Sequence, residues 1–211
     1  MDRYVTIDPD ALRPSQKYAW MIAVVVPRPI GWVTTRSPGG VVNLAPFSFF
    51  NGVTSHPPIV SLGIGRRRDG TRKDTARNIL DTGEFVAHLV EHEHLEAMVA
   101  SSAELPPEAS EPEQLGLELV SSERVGVPAL AAARVRLECR LERHIEIGDG
   151  PSDFILGRVL AFRVRSDLLA PDGSLDQARL APMGRLGGAL YAPVERRVEV
   201  ARPGLPRRLE P

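Results

Sequence analysis

The stretch that decides the fold runs from residue 27 to residue 78: PRPIGWVTTRSPGGVVNLAPFSFFNGVTSHPPIVSLGIGRRRDGTRKDTARN. Residues 30–35 and 41–43 are apolar and β-branched runs on either side of Ser37-Pro38-Gly39-Gly40, which predicts a β-hairpin. Pro57-Pro58 precedes a further strand at 59–64, and Gly63-Ile64-Gly65 leads into a loop over 66–70. Asp74 opens a helix expected to reach Leu80, with Gly83 where a C-terminal cap belongs. The same stretch gathers Asn43, Asn51, Asn78, Thr34, Thr35, Thr54, Thr71, Thr75 and Lys73, in a chain whose other polar surface is mostly Arg, Glu and Asp. Amides and hydroxyls select a ligand by hydrogen-bond direction rather than net charge, so a small-molecule site is expected here.

Upstream, residues 19–26 form an apolar run too short for a typical helix, read as a buried strand that Pro27 and Pro29 interrupt. Downstream, strands are expected at 84–90, 134–147 and 154–164, a short helix at 92–102, and an acidic, proline-rich surface excursion at 106–114. Many short strands with few helices predict a mainly β fold, an antiparallel barrel flanked by helices. The length of 211 residues suits one domain, 1–211, with a core at about 18–191 and a tail at 192–211.

A formal net charge of -1 argues against nucleic acid or an acidic membrane surface as partner, and Arg66-Arg67-Arg68 is too short a basic run to reverse that. Cys139 is the single cysteine, so neither an intrachain disulfide nor a multi-cysteine zinc site can form. Its place in the alternation Val135, Leu137, Cys139, Leu141 predicts a buried strand residue. MDRYVTIDPD lacks the pattern of a signal peptide, and no apolar run approaches a membrane span, so a cytoplasmic protein is expected.

Two segments could carry chemistry. Residues 70–78 start a helix, and its free N–H groups beside Lys73, with Thr71 or Thr75, would suit a phosphate. The alternative is that Asp74 merely caps the helix and Lys73 is solvated. Residues 45–51, read as a rigid, backbone-exposing loop, place Phe47, Phe49 and Phe50 beside Ser48 and Asn51, which suits either a flat heteroaromatic ring or a hydrophobic plug or oligomer contact. His88, His92 and His94 do not share a helical face, and no metal site is expected from them. No dinucleotide fingerprint, phosphate-binding P-loop or Gly-x-Ser-x-Gly elbow occurs, so any nicotinamide would bind without a Rossmann unit.

Taken in order, Pro27-Arg28-Pro29-Ile30, Val33-Thr34-Thr35, Asn43 through Asn51, Pro57-Pro58, Gly70 through Thr75, Asn78-Ile79 and Thr82-Gly83-Glu84-Phe85 resemble the flavin reductase-like, FMN-binding split-barrel family, its flavoredoxin-like branch in particular. Glu138-Cys139-Arg140-Leu141, Gly157-Arg158-Val159 and Arg185-Leu186-Gly187-Gly188 with Tyr191 continue the match. The resemblance implies a Greek-key split β-barrel, a homodimer, FMN near the subunit interface, and NADH or NADPH as electron donor. By matching position it implies Thr34 and Thr35 at the phosphate or ribityl chain, and Ser48, Phe49, Phe50 and Asn51 along the isoalloxazine. Lys73, Asp74 and Thr75 would stand at the phosphate, and Arg185 would approach the flavin from the later segment. The redox chemistry would reside on FMN, with no catalytic side chain. One departure is visible: where many family reductases carry Gly-Asp-His, with the histidine serving the nicotinamide, this chain reads Gly148-Asp149-Gly150-Pro151-Ser152-Asp153. The expected function is an NAD(P)H:flavin reductase. The alternatives are a flavoredoxin-like carrier reduced by a partner protein and, in a different class, a non-catalytic nucleotide- or oligonucleotide-binding barrel.

Overall fold

The computed structural model describes residues 3–200. The end of the expected tail, 201–211, and the first two residues lie outside them. In chain order the strands are β1 (Arg28–Pro29), β2 (Gly31–Arg36), β3 (Val42–Phe47), β4 (Phe50–Ser55), β5 (Pro58–Ile64), β6 (Glu84–Leu89), β7 (Leu119–Val120), β8 (Ala129–Leu130), β9 (Val135–Ile147), β10 (Ser152–Val164), β11 (Met183–Arg185) and β12 (Tyr191–Pro193). The helices are α1 (Pro14–Val24), α2 (Asp74–Thr82), α3 (Leu95–Ala100) and the single turn α4 (Glu111–Gln114).

Seven strands form one sheet in the order β3-β2-β6-β9-β10-β5-β4, antiparallel at every step. Its two edge strands, β3 and β4, are consecutive in sequence and separated only by Ser48 and Phe49. Laid flat, the six gaps between seven strands would hold those edges roughly 29 Å apart. The chain from Phe47 to Phe50 can span only about 10 Å. The sheet must therefore curl until its edges meet, and because β3 and β4 do not pair, the barrel stays split. Where it closes, Phe50 lies against β2, and a Cβ on Gly31 would stand 3.0 Å from the Phe50 ring. The Greek-key split-barrel expectation is met.

The barrel interior is filled by Val33, Leu62, Ile64, Ile79, Phe85, Cys139 and Ile155, all fully buried. Cys139 is the core residue its alternation predicted, and burial pushes its thiol pKa far up. α2 covers the barrel, burying Thr75, Ala76, Asn78 and Ile79, and Gly83 caps it in the left-handed conformation at φ 77°. Gly157 sits beside a register shift in the β9–β10 pairing, where any Cβ would meet the Phe85 ring at 2.2 Å.

Three expectations are corrected. Residues 19–26 are not a buried strand: most of them belong to α1, none of whose residues is buried. Pro14 opens that helix, the Gln16 side chain accepts from the Arg13 N–H, and Ala, Met and Ile serve a helix as well as a strand in so short a run. Residues 45–51 are two strand ends joined by Ser48-Phe49 rather than an open loop. Residues 106–114 are only partly a surface excursion, because Ser110, Glu111 and Pro112 are buried. The Glu111 carboxylate accepts the Leu44 N–H of β3 at 2.9 Å.

Candidate functional site

A cleft of about 820 Å³ opens between α1, α3 and the β11–β12 hairpin. Tyr18 and Ile22 of α1, Met98 and Val99 of α3, Pro46 and Tyr191 give it mainly apolar walls. A smaller cavity of about 50 Å³ adjoins it at the start of α2, bounded by Arg67, Lys73, Asp74, Thr75, Glu104 and Glu111. Ser102 borders both, so the two cavities are neighbours.

Arg28 anchors the wide end. It is 4% exposed, and each of its four hydrogen bonds goes to a neutral acceptor. Nη1 reaches the Ile22 and Val25 carbonyls at 2.8 and 2.6 Å, Nη2 the Leu186 carbonyl at 3.0 Å, and Nε the Ser48 hydroxyl at 3.3 Å. One side chain thus ties the end of α1 to the β3–β4 junction and to the loop after β11. Burial holds its pKa below the ordinary guanidinium value; Tyr18 opposes that shift and Arg185 adds to it. Arg185, on β11, lines the same cleft, with its guanidinium 4.3 Å from the Tyr191 ring centroid and one N–H donated to the Gly188 carbonyl.

The narrow end is built on the helix start. Lys73 is the N-cap of α2 and supplies no side-chain cap, and Asp74 is the first helical residue, so the simple reading of Asp74 as the cap does not hold. The Asp74 carboxylate pairs instead with Arg67 and Arg77. Burial raises the pKa of Glu111, so this second carboxylate takes a proton more readily than usual.

The sequence-predicted residues divide. Ser48 and Arg185 line the cleft, and Lys73, Asp74 and Thr75 line the small cavity. Phe49 is exposed beside Arg28, whose guanidinium carbon stands 5.9 Å from its ring centroid. Phe50 packs on the barrel core, and Asn51 turns its carbonyl to the Gly52 N–H. Neither borders a cavity. Thr34 and Thr35 are wholly buried: the Thr34 hydroxyl donates to the Pro128 carbonyl at 2.7 Å, and the Thr35 hydroxyl accepts from Asn78 Nδ2 at 3.1 Å. Asn43 donates to the Thr75 hydroxyl at 2.9 Å. Much of the amide and hydroxyl cluster therefore binds α2 to β2 and β3, since a helix lying on polar strand positions must satisfy them internally. The Thr71 hydroxyl is likewise taken by Asp69 at 2.6 Å.

Sequence reasoning missed Arg28, the α3 wall, Ser102 and Tyr18. The placement of Arg28 between two prolines was an available signal, since a charge on so restricted a backbone has a fixed aim. His88 is fully buried, its Nδ1 2.7 Å from the Trp32 carbonyl and its Nε2 accepting the Leu130 N–H, which fixes a neutral ring, and burial lowers its pKa to about 3. The potential metal ligands His144, Glu146 and Asp153 do converge, within 4.8 Å. Arg66 and Arg72 share the same Asp153 oxygen with His144, so that carboxylate is already neutralised.

Among the described residues no helix is long and apolar enough to cross a membrane. A family model described as flavin reductase like domain matches residues 23–181. The chain is 45% identical over 208 residues to the uncharacterized protein BH2278 of Halalkalibacterium halodurans, covering 97% of this chain and 99% of that one. Its structure resembles nitrilotriacetate monooxygenase component B from Bacillus cereus, at a TM-score of 0.90 and 36% identity, covering 95% of this chain and all of that one. It also resembles the 2-nitrobenzoate 2-nitroreductase NbaA of Pseudomonas fluorescens, at a TM-score of 0.86 and 30% identity, covering 96% and 98%. Curled barrel, paired cavities and sequence agree, and the chain belongs to the flavin reductase-like family.

Proposed function

We propose that the protein is an FMN-binding oxidoreductase, with the flavin ring at the wide cleft and the phosphate at the start of α2. The observation that carries this reading is the pairing of two cavities that share Ser102, a mainly apolar cleft beside an uncapped helix start. The wide part lies within the roughly 300–1,000 Å³ usual for small-ligand sites. The residues fit the group at both ends. Lys73 has no carboxylate within ion-pair distance among the described residues, and three free N–H groups follow it. Asp74 and Thr75 hold the turn in shape, one by pairing Arg67 and Arg77 and the other through Asn43. Ser48 is oriented by Arg28 at the ring end, and Thr34 and Thr35 keep β2 fixed beneath α2. When bound, FMN would supply hydride and electron transfer; the chain's own work is to bind, orient and shield it.

A second observation bears on the electron donor. His144 Nε2 lies 2.7 Å from Asp153 Oδ1, inside the Arg66–Arg72 network, and the turn at 148–153 offers no other histidine. That favours a flavoredoxin-like carrier, reduced by another protein, over direct oxidation of NADH or NADPH. The protein would act as a homodimer, with a second copy covering the exposed Trp20, Met21 and Val24 of α1 and Val53 of β4.

A flavin titration followed by quenching, then anaerobic addition of NADH or NADPH, tests the reading. FMN binds with Lys73→Ala weakening it about tenfold to a hundredfold, the value of a charge-assisted contact of roughly 1.5–3 kcal/mol. An unchanged dissociation constant removes the phosphate from this turn. Bleaching by nicotinamide at catalytic rate would restore the reductase reading, and sedimentation velocity reports the dimer.

A further inference from the structure

We infer that the wide cleft takes, as a second ligand beside the flavin, a small organic carboxylate with an apolar body, gripped by Arg185. The inference rests on the proposed flavin site.

Three arginines among the described residues are drawn back from full exposure and have no carboxylate within ion-pair distance: Arg28, Arg136 and Arg185. Two of the three line this one cleft. The only carboxylate on its walls belongs to Glu96, which is exposed on α3 and pairs with neither. The concave, mostly apolar surface therefore carries two guanidinium charges opposed by one solvated acid. Low-dielectric walls strengthen such a field.

The two arginines cannot do the same work. Arg28 has committed its Nε, its Nη1 pair and one Nη2 hydrogen to four acceptors, so it supplies charge and hardly any contact. Arg185 donates only to the Gly188 carbonyl. Its flat face rests on Tyr191, a placement that fixes the plane of the guanidinium, and with one Nη2 hydrogen given to Gly188 one of its two N–H forks, Nε with Nη2 or Nη1 with Nη2, is left without an acceptor in the described structure. A planar fork of free N–H groups, held in place by an aromatic ring, is the arrangement that a carboxylate meets with two parallel hydrogen bonds. The apolar walls of Tyr18, Ile22 and Val99 then suit the remainder of the ligand. A neutral amide of the same shape would accept from only one N–H of that fork and leave the other facing a donor.

Benzoate and its uncharged isostere benzamide are the probes. Each is titrated into the FMN-loaded protein, read by the flavin spectrum, and into FMN-free protein, read calorimetrically. Benzoate binds about tenfold tighter than benzamide, a preference that shrinks as salt is raised. Arg185→Gln brings benzoate down to the benzamide level and leaves benzamide where it was; Arg185→Lys, which keeps the charge but not the fork, recovers part of the preference. Equal affinities, no binding of either probe, or a joint loss of both in Arg185→Gln overturns the inference. So does displacement of FMN by benzoate, because Arg185 would then belong to the flavin phosphate. Failure of FMN to bind at all refutes the flavin reading instead, and the FMN-free titrations still decide the carboxylate site by the same ratio.

Discussion

Two regions of this molecule handle arginine in opposite ways. At the β9–β10 turn, Arg66, Arg72 and His144 all converge on Oδ1 of Asp153, a carboxylate with no exposure, and Glu146 bridges the two arginines from outside. At the cleft, Arg28 and Arg185 have no carboxylate at all and settle on carbonyls, a hydroxyl and an aromatic face. The chain contains ample acid, with 27 Asp and Glu against 26 Lys and Arg, so the open charge at the cleft is not a shortage of partners. It is a matter of placement: charge is neutralised where it closes the barrel end and left available where a ligand can enter.

The sharpest way to break that contrast is Asp153→Asn. The amide keeps the shape but leaves Arg66, only 14% exposed at its side chain, without its buried anion. Removing one partner of a buried pair costs roughly 3–5 kcal/mol, and the low end applies because Arg72 is one-third exposed. A loss of about 3 kcal/mol in urea unfolding is expected, and a loss under about 1 kcal/mol would make this cluster an ordinary surface network.

His88 sharpens the comparison, since here burial is tolerated by remaining neutral. Its folded pKa of about 3 lies below the ordinary 6.5, so between those values the unfolded chain holds the extra proton. Stability is therefore full above about pH 6.5 and falls by about 1.4 kcal/mol per pH unit below it, levelling near pH 3. Relative to His88→Asn, the wild-type protein should lose about 2 kcal/mol between pH 7 and pH 5. Parallel pH profiles of the two proteins would show that His88 takes its proton in both states alike.

The barrel was legible because its decisive evidence is local: a turn between two β-branched runs, Gly83 at a helix end, and alternation around Cys139. α1 was not legible, since an eight-residue apolar run has no period to read and the helix owes its place to Arg28 from a different element. The helix start proposed for the phosphate was visible from Gly70 to Thr75 because a helix start carries its own donors. The wide end could not, for its walls come from α1, α3 and β11, brought together only by the fold. Thr34, Thr35, Asn43 and Asn78 show the converse: their residue types suited a ligand, but Thr35, Asn43 and Asn78 hold α2 to the sheet and Thr34 holds the Pro128 carbonyl.

Arg28→Met removes the charge but keeps much of the apolar stem. The Ile22, Val25 and Leu186 carbonyls it releases lie near solvent and can take water, so the global cost is expected at about 1 kcal/mol. The larger effect is local. α1 buries none of its own residues, so its amides should lose hydrogen-exchange protection while those of α2 keep theirs. Equal protection of both helices would mean that something other than Arg28 holds α1 in place.

The smallest effect expected is at Arg158 and Glu142, whose forked contacts of 2.8 and 3.1 Å match buried pairs in geometry. Their side chains are 46% and 34% exposed, so water already solvates both charges before they meet, and salt screens what remains. Glu142→Gln should leave the melting temperature unchanged within error, beside a clear fall for Asp153→Asn measured in the same buffer. The Arg158–Glu142 fork uses both carboxylate oxygens, whereas each arginine meets Asp153 through a single contact to Oδ1, so a smaller effect at the better-formed but exposed pair points to burial as the cause. Were Glu142→Gln to destabilise as much as Asp153→Asn, hydrogen-bond geometry would set the value of these pairs, and the contrast between the neutralised turn and the open cleft would lose its physical basis.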